Sequence, residues 1–243
     1  KLDKVVLARA VDIEFPEAID PRLVAARLID LSANRDGFIA DLSPAGRPGA
    51  MLVGSSPEVL VKRQGSTVSA FPLAGSSPRR ATAAEDHIAG QDLLHSAKDL
   101  HEHSFVVEHL RRVLSPLCER LDIPDAPQLI STNEMWHLGT PISGTLKDKD
   151  LTALELALAA HPTPAICGTP AEAAQALIET AETDRGFYAG AVGWCDSSGD
   201  GEYMVAIRCA EVAGDGLSAR AWAGGGIVGD SDAQAELEET TAK

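Results

Sequence analysis

Four carboxylates in this sequence are spaced to meet. Asp99 and Glu102 stand three residues apart in one helical pattern, and Glu236 and Glu239 stand three apart in another. Side chains at i and i+3 project from one face of a helix. If the two helices touch, the four carboxylates converge on a place suited to a hard, oxygen-preferring cation such as Mg²⁺. Ordinary solvated helix faces carry the same spacing, so spacing alone leaves both readings open.

Other residues invite a chemical reading, each with a plainer one beside it. Gly224-Gly225-Gly226-Ile227-Val228-Gly229 matches GxGxxG. A dinucleotide fingerprint also needs a βαβ unit and a later acidic residue, which the residues after Gly229 do not supply. A tight turn bringing backbone amides to a ligand is the favoured reading, since glycine permits close approach. His101-Glu102-His103 is a poor metal site, because i and i+2 side chains on a helix do not share a face. His137, beside Trp136, is either a ligand donor or a satisfied, partly buried histidine. Arg208 sits in the apolar run Val205-Ala206-Ile207-Arg208-Cys209, where it needs a bound carboxylate or a structural salt bridge. Lys4 and Glu58 read in isolation as charges at strand ends.

The elements that must position these groups follow from periodicity. Lys4–Ala10 reads as a strand and Pro21–Ala33 as a helix. Ala50–Gly54 and Val59–Arg63 read as strands, with Thr67–Leu73 as hairpin partner of the second. One long helix is predicted over Ala84–Leu114. Two more are predicted at Leu151–Ala160 and Pro170–Glu182, the second with Thr169 as cap and Pro170 in its first turn. Tyr188–Cys195 and Glu202–Val212 form a predicted hairpin across the turn-rich Asp196–Gly201. A last strand at Leu217–Ala223 and a last helix at Ala233–Lys243 complete the pattern. Hairpins interleaved with helices, without strict βαβ alternation, predict an α+β fold with largely antiparallel sheet in a single domain spanning 1–243.

Composition narrows the function. The chain is 44% hydrophobic, enough for a substantial core, and its net charge of -15 argues against nucleic-acid or anionic-membrane binding. An anionic substrate would need local Arg, Lys or a metal ion. No run of about 18 apolar residues occurs, so no membrane span is expected. Cys118, Cys167, Cys195 and Cys209 form no CxxC pair, which fits reduced thiols in the cytoplasm.

Taken in order, several segments resemble the chorismate-utilising enzymes, a family that includes isochorismate, salicylate, anthranilate and aminodeoxychorismate synthases. They are Lys4–Arg9, Gly54–Glu58, Pro72–Ser76, Lys98–His103, Trp136–Leu138, His161–Ala165, Gly193–Asp196, Ile207–Ala210, Ala223–Ile227 and Glu236–Thr240. Isochorismate synthases of siderophore pathways are the most similar type. The resemblance implies an α/β sandwich of extended antiparallel sheets flanked by helices, with the site in a cleft. It also implies a monomer, and a chain that lacks the family's N-terminal region and a short C-terminal tail.

The resemblance implies roles as well. Lys4 is the base that activates water for attack at C2 of chorismate, and Glu58 the acid that protonates the departing C4 hydroxyl. The base must be an uncharged amine and the acid a protonated carboxyl. Glu102 and Glu239 hold Mg²⁺ against one substrate carboxylate, with Asp99 and Glu236 placing metal-bound waters. Arg208 and Lys243 hold the other carboxylate, helped by Tyr188 and backbone amides around Gly224 and Gly226. Gly75, Ser76 and His137 line the ring. Lysine at position 4 favours water over ammonia as nucleophile. Ala165 stands where salicylate-forming relatives carry threonine, so an isomerase that stops at isochorismate is expected. A lyase continuing to salicylate and a non-catalytic chorismate-binding module are the alternatives.

Overall fold

The structure, a computed structural model, describes residues 1–32 and 36–242. In chain order its elements are β1 (Lys4–Glu14), α1 (Pro21–Leu31), β2 (Phe38–Asp41), β3 (Met51–Gly54), β4 (Val59–Gln64), β5 (Thr67–Phe71), β6 (Leu73–Pro78), α2 (Ala83–His95) and α3 (Ala97–Leu114). Then come β7 (Cys118–Asp122), β8 (Gln128–Ser131), β9 (Met135–Gly139), β10 (Ile142–Leu146), α4 (Ala153–Ala160), β11 (Gly168–Thr169), α5 (Ala171–Ala181), β12 (Ala191–Cys195), β13 (Gly201–Val205), β14 (Cys209–Val212), β15 (Ser218–Val228) and α6 (Ala233–Ala242). The predicted Ala33 and Lys243 lie outside the described residues.

Two six-stranded sheets run β11-β1-β15-β14-β3-β2 and β12-β13-β4-β5-β10-β7, and a small third sheet runs β6-β9-β8. The paired strands are antiparallel, as the α+β expectation required. The main core lies between the large sheets, where Leu52 and Cys209 meet Leu60, Val61, Val68 and Ile142. Leu110 and Leu114 of α3 and Leu156, Ala157 and Ala160 of α4 close it from one side. The first sheet is covered on its far face by α1, through Ala25 against Val53 and Val212, and by α5, through Ala174 and Ile178 against Val5. Adjacent Leu52 and Val53 thus serve opposite faces, as strand alternation dictates.

Three departures from the sequence expectation shape the site. The predicted helix Ala84–Leu114 is two helices, broken at Ser96. This residue takes extended backbone, ends α2, and caps α3 by accepting the Asp99 amide on its hydroxyl at 3.3 Å. Apolar periodicity cannot reveal such a break, because Leu93 and Leu110 face buried surface on both sides of it. The consequence is chemical: Asp99 and Glu102 now stand near a helix N-terminus, where the backbone dipole favours negative charge.

The second departure is a change of sheet. The run read as one strand, Glu202–Val212, is divided: β13 pairs with β12 and β4, whereas β14 pairs with β15 and β3. Ala206–Arg208 crosses between the sheets, and Arg208 has a φ of 51°. The third concerns the glycines. Gly224, Gly225 and Gly226 form no turn; they lie inside β15, opposite Ala8, Leu7 and Val6 of β1. Thr169 likewise does not cap α5. Its backbone pairs with Lys4 in β11, and Pro170 stands at the cap position without a side-chain bond.

Because α3 is anchored toward its far end by Leu110 and Leu114, each 1% exposed, both should contribute strongly to its stability. Leu110→Ala is expected to cost about 2–5 kcal/mol in urea unfolding. The exposed Leu154→Ala should stay within about 0.5 kcal/mol of wild type.

Candidate active site

Lys4 opens β1 and is buried to 1% exposure. Its ammonium lies 3.1 Å from Glu102 Oε1 on α3, an ion pair whose alignment leaves Nζ without a well-formed hydrogen bond among the described residues. The third element of this junction is β15, and its glycines make the contact possible. A Cβ on Gly226 would lie 2.0 Å from Glu102 Oε1 and 2.9 Å from Lys4 Cε. A Cβ on Gly224 would lie 3.2 Å from the Tyr188 hydroxyl. Any side chain at Gly226 would therefore displace the carboxylate from the amine.

The predicted carboxylates do gather around this point, each with its own partner. Glu239 accepts the Ser76 hydroxyl at 2.6 Å, and Asp99 accepts the Ser96 hydroxyl. Glu236 is 5% exposed; its Oε1 accepts from Lys98 and from Ser231, while its Oε2 is buried without a partner among the described residues. Burial raises Asp99 above the usual carboxylate range, Ser96 and Lys98 oppose this, and the charges of Glu239 and Glu236 add to it. Burial acts against the Lys98 ammonium, yet Glu236, Asp99 and Glu102 raise it overall. Among the described residues, no three acidic, histidine or cysteine side chains are gathered tightly enough to hold a metal as they stand. The donor set is nonetheless all oxygen, anionic and mutually repelling, with one buried carboxylate oxygen unsatisfied. That chemistry fits a hard divalent cation.

Glu58 lies across the cleft, 3% exposed. Burial pushes its carboxyl up to about 8, against the Leu73 backbone amide and the Lys4 charge, which both pull it down. It is therefore protonated at neutral pH. Arg208 donates to His137 Nε2 at 3.3 Å, which fixes that nitrogen as an acceptor. Its burial lowers its pKa from the ordinary arginine value, with Glu134, Tyr188 and Glu239 acting the other way. Tyr188 stacks on Trp222 with centroids 5.6 Å apart, and burial pushes its phenol up to about 12, so it stays a neutral donor.

One cavity, about 760 Å³ with its open mouth, is lined by Glu58, Gly75, Ser76, Glu102, His137, Ala165, Tyr188, Arg208, Gly224, Gly226 and Glu239. Lys4 lies beneath this wall, and Asp99 and Glu236 stand behind it; Lys243 is outside the described residues. Gly75 holds a φ of 79°, and a Cβ there would meet Asp99 Cβ at 3.0 Å. His101 and His103 diverge as expected. His101 packs on Phe105, while buried His103 bridges Ala74 O and Thr140 Oγ1 and is pushed down to about 4, mainly by burial.

Three contributors escaped the sequence reading. Lys98 was part of a matching segment but carried no role. Trp222 lies two residues before Gly224 on β15, so its facing could have been read from strand alternation. Arg185 had no signal beyond its turn-like neighbours. It ties the wall together, donating to Glu182, Ile166 O and Val6 O, with its guanidinium 5.9 Å from the Tyr188 ring centroid.

An α+β sandwich with a buried carboxyl lining a cleft, and a buried lysine and a carboxylate cluster at and behind its wall, defines a class of enzyme site. The family described as chorismate binding enzyme matches residues 1–243, and the chain belongs to that family. A Mycobacterium tuberculosis protein assigned as the isochorismate synthase MenF is 51% identical over 100% of this chain and 66% of its own length. The isochorismate synthase DhbC of Bacillus subtilis is 46% identical over 100% of this chain and 61% of its own. A solved Bacillus anthracis structure, assigned as a 2,3-dihydroxybenzoate-specific isochorismate synthase, DhbC, superposes with a TM-score of 0.96 at 43% identity. It covers 100% of this chain and 64% of that one. The chain thus spans less than two thirds of the length of these relatives.

The glycine wall makes a direct prediction. Gly226→Ala should cost about 1–3 kcal/mol in denaturant unfolding, as overpacking does. Gly225→Ala, whose nearest neighbour would be Glu236 Oε2 at 3.4 Å, should cost far less.

Proposed function

We propose that the chain is the catalytic part of an isochorismate synthase, isomerising chorismate to isochorismate. The observation that carries this reading is Glu58, a buried carboxyl whose pKa burial raises to about 8, lining one cleft with Glu102 and Glu239, with Lys4 paired to Glu102 beneath the wall. Loss of a ring hydroxyl needs such an acid, and addition of water at the neighbouring carbon needs a base. Lys4 supplies the base. Glu58 delivers its proton to the C4 oxygen as the double bonds shift.

Chorismate is a dianion, so the cleft must offset two negative charges. Glu102 and Glu239 would hold Mg²⁺, with Asp99 and Glu236 behind them, and the metal would supply positive charge against one substrate carboxylate. Arg208, oriented through His137, and the neutral Tyr188 hydroxyl offer donors to the other. Gly75 and Ser76 leave space along the ring. Ala165 offers the enolpyruvyl side chain no hydroxyl to hold it in a folded, eliminating geometry. The relatives' names support the reading, and the 2,3-dihydroxybenzoate-specific neighbour favours a siderophore setting.

No helix among the described residues is long and apolar enough to cross a membrane.

Incubation with chorismate and Mg²⁺, followed by chromatography, should yield isochorismate with little pyruvate in a coupled lactate dehydrogenase assay. Excess chelator should abolish turnover and Mg²⁺ restore it. Ala165→Thr should raise the pyruvate fraction modestly, since one hydrogen bond is worth about 0.5–1.5 kcal/mol. Stoichiometric pyruvate from wild type would replace the isomerase with a lyase, and bound but unchanged chorismate would leave a binding module.

The acid has its own signature. Activity should fall as pH rises through about 8, because the raised pKa keeps Glu58 protonated only below that point. Glu58→Gln and Lys4→Ala should each lose roughly 10²-fold or more in turnover while retaining chorismate binding. A near-normal rate in either removes that residue from the mechanism.

A further inference from the structure

We propose that Lys98 is the resident counter-ion of the carboxylate cluster and sets how loosely a divalent cation is held there. This rests on the reading of the cluster as a magnesium site. The pair it forms with Glu236 is no ordinary surface bridge. The Glu236 side chain is only 6% exposed, and Lys98 reaches it from another helix 138 positions away in sequence. Exposed pairs contribute little, but a carboxylate buried this deeply must be compensated.

The two oxygens of Glu236 are used differently. Oε1 takes both Lys98 and the Ser231 hydroxyl, the latter at 2.7 Å. Oε2 is buried and has no partner among the described residues, an arrangement that calls for a donor or a cation. Lys98 and Ser231 together fix the carboxylate with that second oxygen left over.

Charge balance explains the lysine. Asp99, Glu102, Glu236 and Glu239 bring four formal negative charges. Lys98 on Glu236 returns one positive charge, and Arg208 also acts on Glu239. A divalent cation would offset the negative charge that remains. Without Lys98 the cluster would be more negative by one, the metal-free fold would carry more internal repulsion, and a cation would bind more tightly than exchange requires. A purely structural role, in which Lys98 only holds Glu236 in place, makes the opposite prediction for affinity.

Calorimetric titration of the metal-free protein with Mg²⁺ at low ionic strength separates these. Wild type should bind, and Glu102→Gln should bind much more weakly. Lys98→Met should bind roughly tenfold more tightly, with the gain shrinking as salt screens the charge. In chelator its Tm should fall below wild type, with saturating Mg²⁺ closing the gap. Lys98→Arg should keep wild-type affinity. Should Lys98→Met fail to fold, Lys98→Gln, which keeps a donor to Glu236 and loses only the charge, carries the same expectation. Unchanged or weaker Mg²⁺ affinity in the uncharged variant, with normal wild-type binding, overturns the counter-ion role alone. Absence of any Mg²⁺ response in wild type overturns the magnesium reading itself.

Discussion

Burying like charges together is the constraint around which this molecule is arranged. Asp99, Glu102, Glu236 and Glu239 come from two helices distant in sequence, and burial, with a smaller contribution from the charges of Glu239 and Glu236, raises the Asp99 pKa. Such a cluster survives in a fold only with compensation close at hand. Here it comes from Lys4 on Glu102, Lys98 on Glu236, Ser76 on Glu239 and Ser96 on Asp99. Those partners come from β1, β6 and the start of α3 at its break from α2, so these pieces and α6, which carries Glu236 and Glu239, must all be in place for the cluster to exist.

The sheets supply that precision. β1 and β15 pair over eleven residues, from Lys4 opposite Val228 to Glu14 opposite Ser218. This long register fixes Lys4 against the glycine stretch. Absence of side chains at Gly224 and Gly226 then lets a carboxylate and a phenol approach the strand closely. On the opposite side, the crossing at Ala206–Arg208 between the two large sheets delivers Arg208 to His137 in the third. The cleft is thus the meeting place of three sheets, and rigid strands rather than loops set most of its walls.

Electrostatic contrast within one cleft gives the site its chemical character. Burial raises the Glu58 carboxyl to about 8, while the carboxylates of the cluster are held by ammonium groups and hydroxyls. Two populations of carboxyl group in one cavity, separated by environment alone, are what acid–base chemistry on an anionic substrate requires. Arg185 contributes at one remove, linking β1, the Ile166 carbonyl and Glu182 beneath the Tyr188 ring.

By itself the sequence determined the α+β class, most of the longer elements and the identity of the chemical groups. Those are encoded locally, in periodicity, turn residues and ordered motifs. Short strands such as Gln128–Ser131 and Cys118–Asp122 carry too few residues and too mixed a polarity for a period to emerge, and so they were not legible. Tertiary structure alone decided the helix break at Ser96, the change of sheet before Arg208, and the role of the glycines as a gap rather than a turn. It also decided which lysine faces which carboxylate, and that Glu58 keeps its proton. Each of these depends on burial and on neighbours far away in sequence. The free energy of a charge is set by what surrounds it in space, which no local pattern of residues can specify.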